Sequence, residues 1–226
     1  MTTPTLDAPV SQPKAESFLD WFRINSRIVT IAAVVVAAAG FGFWFYNRSA
    51  VLKQENADRK LLAAKQSLGS GNLPLAQSDL KKVADQYPST SAGAEAGMLL
   101  AQVKLEQADY NGAVATLKEL AGRNESGPYA TPVRSLLGDA YSQLGKYAEA
   151  AAEYQRAALA TQAPNERAIL LAKIGRALTA AGNVAGAREA WESLANQTDN
   201  GNLAAEARVR LGELLATTAK PSAAKP

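Results

Sequence analysis

From about residue 57 onward the chain matches itself at a spacing of 37 residues. Stepping from Gly138 in both directions gives the column Ala64, Ala101, Gly138, Gly175 and Gly212, small at every position. The residue before it reads Ala63, Leu100, Leu137, Ile174 and Leu211. Seven residues after the small column come Gly71, Ala108, Gly145 and Gly182, and five further on Ala76, Ala113, Ala150 and Ala187. Then follow Leu80, Leu117, Tyr154 and Trp191, and Val83, Leu120, Ala157 and Leu194. Small, aliphatic and aromatic columns in one register mean a stack of like units, each burying its apolar face against its neighbours.

The unit reads as a helix hairpin. Alanine is the best helix former, the chain holds 47 of them, and the reading is all-α. The first helix of each pair is expected over Ser91–Gln107, Tyr129–Leu144 and Asn165–Ala181. The second is expected over Tyr110–Ala121, Tyr147–Ala160 and Val184–Asn196. Gly138 and Gly175 let the two helices approach. Gly145 and Gly182 end the first helix, where a left-handed cap suits glycine. Ala150 and Ala187 lie where the second helix crosses the first, and Tyr154 and Trp191 fill space against the next pair. The copy near Ala57 is degenerate. After Leu203 a lone first helix carries Leu211-Gly212 in register, the capping helix of a solenoid. The repeat domain is read over residues 47–216, with a disordered tail over 217–226.

The N-terminal part has a different character. Residues 1–27 read as a tail, disordered around Pro4, Pro9 and Pro13. It then turns interfacial at Phe18, Trp21 and Phe22, one helical face suited to the headgroup region. Residues 28–46 carry no charge. As a helix they cover ~28 Å, close to a ~30 Å hydrocarbon core, with Phe41, Phe43, Trp44, Phe45 and Tyr46 as an aromatic belt. The run is too long and its exit too aromatic for a cleaved signal peptide, so an uncleaved signal anchor is expected. Three basic residues precede it and five follow within about 20 residues. That count decides little, because long domains translocate regardless of charge.

Composition narrows the chemistry. Without Cys or His there is no thiolate, imidazole base or Cys/His zinc site. Gly138…Gly145-Lys146 has the wrong spacing for a P-loop, and Tyr147 stands where Ser or Thr is required. Glu149, Glu153, Glu189 and Glu192 read as solvated helix faces. A net charge of +3, mixed in sign along the chain, gives no basic stripe for nucleic acid. Neither an enzyme nor a cofactor is expected.

Leu137-Gly138-x-x-Tyr141, Gly145-Lys146-Tyr147, Ala150, Tyr154 and Ala157 resemble the tetratricopeptide repeat, whose usual period is 34; each loop between pairs here is about three residues longer. The resemblance implies about four helix pairs plus a cap, with a concave face lined by the first helices. It places Asp58, Leu61 and Lys65 there, then Glu95, Met98 and Gln102, then Ser135 and Asp139, then Ile169 and Arg176. The family's clamp for a peptide carboxylate needs clustered Lys and Asn; Lys65 and Arg176 stand far apart with acids between them, so no clamp is expected.

The layout also resembles the bacterial ancillary subunit of the SecYEG translocon. This rests on Phe18-x-x-Trp21-Phe22, Phe43-Trp44-Phe45-Tyr46-Asn47 and Gly182-Asn183-x-x-Gly186-Ala187-Arg188-x-Ala190-Trp191-Glu192. That family implies a single-pass inner-membrane protein with a cytoplasmic N-terminus and periplasmic repeats. Its implied partners are translocon subunits and periplasmic chaperones. The alternative is a scaffold or assembly factor for another envelope complex.

Overall fold

The structure, a computed structural model, describes residues 26–197 and 201–219. The expected tail around Phe18, Trp21 and Phe22, and residues 220–226, lie outside the described residues. Among the described residues there are nine helices and no strand. Helix α1 covers Ser26–Gly69, and the chain divides within it, after Leu52, into two units.

In the first unit, residues 26–52 are helical and their apolar side chains lie open. Val36, Phe43 and Tyr46 are each about 70% exposed. Phe41 sits 5.8 Å from Trp44 and 6.5 Å from Phe45, ring centre to ring centre. The mean hydropathy of its most apolar 18-residue stretch is 2.3, and none of that stretch is buried in the protein. This helix is long and apolar enough to cross a membrane.

The second unit is a succession of helix hairpins. The end of α1 pairs with α2 (Leu73–Gln86), α3 (Ser91–Glu106) with α4 (Tyr110–Arg123), α5 (Ala130–Gln143) with α6 (Tyr147–Ala160), and α7 (Pro164–Ala180) with α8 (Val184–Ala195). Helix α9 (Gly201–Ala219) closes the series against α8 and α7, running three residues past its expected end.

The periodic columns account for the core. Ala76, Ala113, Ala150 and Ala187 are all 0% exposed; a methyl group there lets two helix axes come within the ~8–10 Å of close packing. Leu80, Leu117, Tyr154 and Trp191 are all buried, each aliphatic member contributing about 1.5–3 kcal/mol by leaving water. Leu137 and Tyr141 are buried beside them. Helix α3 faces two core clusters. Ala92, Ala96, Leu100 and Val103 pack with Ala57, Leu61 and Ala64, while Ala94 and Ala101 join the core that continues to Leu214.

Gly138 and Gly175 are where the hairpins close most tightly. A Cβ at Gly138 would meet Tyr154 Cδ1 at 2.6 Å, and one at Gly175 would meet Trp191 Cε2 at 2.5 Å. The aromatic column therefore fills the space left by the glycine of its own pair, and it also meets the element that follows: Lys173 stands over the Tyr154 ring, and Trp191 shares a cleft with Leu214.

The turns between paired helices repeat one geometry. Gly71, Gly145 and Gly182 have φ of 75°, 71° and 74°, and Ala108 takes φ 59° at the same place. The next amide in each copy reaches back five residues, Lys146 N–H to the Tyr141 carbonyl and Asn183 N–H to the Leu178 carbonyl, both 2.9 Å. This is a left-handed helix end. Asn72, Asp109 and Asn183 then cap the following helix through their side chains, while Lys146 makes no such bond.

Candidate functional site

The first helices of successive pairs run side by side, with α3 against α5. Between α3, α5 and the start of α7 lies a groove of about 540 Å³. Glu95, Met98 and Gln102 enter it from α3, Ser135 and Asp139 from α5, and Ile169 from α7. Six of the residues assigned to the concave face thus share one groove.

The other four stand elsewhere. Lys65 lies outside the groove lining and pairs with Glu95 at 2.5 Å. Asp58 accepts a hydrogen bond from Gln54 Nε2 at 2.8 Å, and the same amide donates to Ser91 Oγ at 2.7 Å. Leu61 is 5% exposed and belongs to the core. The column Leu61, Met98, Ser135 and Ala172 runs along the edge between groove and core, and its apolar first member turns inward. Arg176 lies in a separate cleft of about 400 Å³ beside Trp191, Arg210 and Leu214. There its guanidinium grips Glu206 with Nη2 at 2.8 Å from both carboxylate oxygens.

Several groove residues were not among those assigned. Leu99, Leu136 and Lys173 line it, as does Glu166. A signal for the first three exists: stepping by 37 from Leu62 gives Leu99, Leu136 and Lys173. This column lies one residue beyond Leu61, Met98 and Ser135.

One end of the groove is held by a polar network. Lys173 Nζ donates to Asp139 Oδ1 and Oδ2 at 2.8 and 2.9 Å and to Ser135 Oγ at 3.1 Å. Tyr154 O–H donates to Asp139 Oδ1 at 2.7 Å, and Lys173 Nζ lies 5.3 Å from the centre of the Tyr154 ring. Burial, with the Asp139 carboxylate beside it, pushes the Tyr154 phenol above its ordinary range. Asp139 is thus engaged within the fold as well as lining the groove, and the network ties the third pair to the fourth.

On α6, Glu153 is not a solvated face residue. Its side chain is 10% exposed, with Arg134 at 3.1 Å and Arg156 at 2.5 Å. Two cations satisfy the carboxylate that helix packing has drawn out of water. Among the described residues no group of three or more Asp or Glu is placed to hold a metal ion.

The family model for the tetratricopeptide repeat-like domain matches residues 56–178, more than half of the chain. No curated protein sequence matches it. Among solved structures, the chain is similar to a tetratricopeptide repeat protein from Parabacteroides merdae, with 13% identity and a TM-score of 0.60. That match covers 72% of this chain and 61% of the other, so the chain spans less than two thirds of that protein's length. PilF of Pseudomonas aeruginosa matches with 20% identity and a TM-score of 0.56, over 74% of this chain and 70% of the other. BtubC from P. vanneervenii matches with 14% identity and a TM-score of 0.54, over 74% and 83%. At these identities the likeness is one of fold.

Proposed function

The chain belongs to the tetratricopeptide repeat-like family, and from that premise we propose that it is a membrane-anchored adaptor of the bacterial cell envelope. In this reading residues 28–46 hold it in the inner membrane, residues 1–27 are cytoplasmic, and the repeats stand in the periplasm. The partners are proteins or peptides: translocon subunits and periplasmic chaperones, by the resemblance of the span's flanks and of the Gly182–Glu192 segment.

The observation that carries the interaction role is the groove between α3, α5 and α7, where Met98, Leu99, Leu136 and Ile169 present an aliphatic surface among polar groups. Ile169 is 51% exposed. A concave site of mixed apolar and polar lining is the form in which helical repeats receive a polypeptide segment. The anchor reading is supported by the exposed apolar helix of the first unit.

Co-purification from membranes in mild detergent tests the partner assignment. Translocon subunits are expected with the full chain. Their absence, with another envelope complex enriched, would replace the translocon reading with that of an assembly scaffold. Protease added to spheroplasts should digest the repeats and spare the first 27 residues; protected repeats would overturn the periplasmic placement.

A further inference from the structure

We infer that the groove is built for a basic, aliphatic peptide segment, with a Lys or Arg of the partner pairing with Glu166. The inference rests on the groove reading above and adds the chemistry of the occupant. Three carboxylates, Glu95, Asp139 and Glu166, line the groove against one ammonium, Lys173. Two of the three are already neutralised: Glu95 by Lys65 at 2.5 Å, and Asp139 by Lys173 on both oxygens.

Glu166 is different. Its Oε2 accepts a hydrogen bond from the Thr161 hydroxyl. Among the described residues no cation stands within 4.0 Å of it. It is partly buried, one turn before Ile169 on α7, so a half-shielded negative charge adjoins exposed aliphatic surface.

Complementarity follows from that arrangement. A segment offering aliphatic side chains to Met98, Leu99, Leu136 and Ile169 covers the apolar floor. The same coverage removes water from around Glu166, which strengthens the attraction of any cation placed there. An acidic segment would set like charge beside Glu166, and a free C-terminal carboxylate would have to compete with Asp139 for Lys173. The groove therefore discriminates by repulsion as well as attraction, and in the opposite sense to a carboxylate clamp.

The test uses the full chain in detergent micelles and fluorescein-labelled synthetic peptide pools of about ten residues, enough to span anchors at i, i+3, i+4 and i+7. The pools share a randomised aliphatic background and carry Lys, Gln or Glu at a central position. Anisotropy should show the Lys pool binding about tenfold more tightly than the Glu pool at low salt, the size of one charge-assisted hydrogen bond. The preference should shrink with added salt and collapse in Glu166→Gln, while Ile169→Ser should weaken all pools alike. Equal binding of the three pools, or preference for Glu, with Ile169→Ser still weakening them, would overturn the basic-segment inference and leave the groove standing. Failure of every pool to bind, or binding indifferent to Ile169→Ser, would overturn the groove reading itself.

Discussion

The indole of Trp191 occupies the space that any side chain at Gly175 would need, its Cε2 lying 2.5 Å from where a Cβ would stand. Tyr154 stands in the same relation to Gly138, 37 residues earlier in both partners. The large residue is on the second helix of each pair and the absent side chain on the first. Glycine within a helix costs about 1 kcal/mol relative to alanine; here it admits an aromatic ring that is 1% exposed in the case of Trp191. Gly175→Ala should therefore destabilise the fold, by about 1–3 kcal/mol for overpacking against a ring that cannot move aside. Thermal unfolding followed by circular dichroism should show a lower midpoint. Adding Trp191→Leu should cost less in the Gly175→Ala background than alone. Additive losses would mean that the two residues do not share this space.

Ala108 holds a left-handed backbone, φ 59°, in a column where the other three copies have glycine. For a residue with a Cβ that conformation costs about 1–2 kcal/mol. Ala108→Gly should stabilise the protein by about 1 kcal/mol, offset in part by the entropy that glycine gains in the unfolded chain. That is a rise of roughly 2–4 °C in melting temperature for a chain of this size. A lower melting temperature would contradict the assigned turn geometry.

Tyr154 makes stability depend on alkaline pH. Burial first, and Asp139 second, hold its proton more tightly in the folded state than the ordinary phenol value of about 10. The raised folded value means that its contribution is fully present below pH ~10 and is lost as pH rises beyond it. Tyr154→Phe should lose about 1 kcal/mol at pH 7, where the bond to Asp139 goes. Its urea midpoint should then fall less steeply than wild type between pH ~10 and ~12. Lys173, which faces this ring, is retained in the variant, so the substitution changes only the phenol. Parallel slopes would show that the phenol is not coupled to folding.

Glu153 and Arg134 join α6 to α5 with side chains 10% and 18% exposed, whereas Arg156 is 60% exposed. Removing the carboxylate strands a largely buried guanidinium, so Glu153→Ala should cost about 2–4 kcal/mol, somewhat below the range for fully buried pairs. Arg156→Ala should cost less than about 1 kcal/mol. Equal losses would mean that burial does not distinguish the two cations.

Much of this arrangement is legible in the periodic columns, and the reason is packing. Ala150, Ala187, Gly138 and Gly175 occupy places where helices touch, so volume is constrained in every copy. Gly145 and Gly182 mark positive φ, a backbone requirement that shows directly as residue type. Helix limits follow within about a turn because those turns and caps set them.

The groove was less legible. Its positions change character from copy to copy: Leu99 and Leu136 become Lys173 in one column, and Glu95 becomes Pro132 and then Ile169 in another. A surface that receives a partner is not held to one residue type. Leu61 and Glu153 show the other limit. Whether a residue at the edge of a helix face turns inward depends on neighbours far away in sequence, here α3 for Leu61 and Arg134 for Glu153.

The central claim is that polypeptide segments bind between α3, α5 and α7. Site-specific photocrosslinking in whole cells tests it most directly, with a benzophenone amino acid replacing Leu99 or Ile169 in the groove, or Lys82 on the exposed side of α2. The account predicts covalent adducts with protein partners at Leu99 and Ile169 and none at Lys82. Adducts at Lys82 alone, or at none of the three positions, would contradict it.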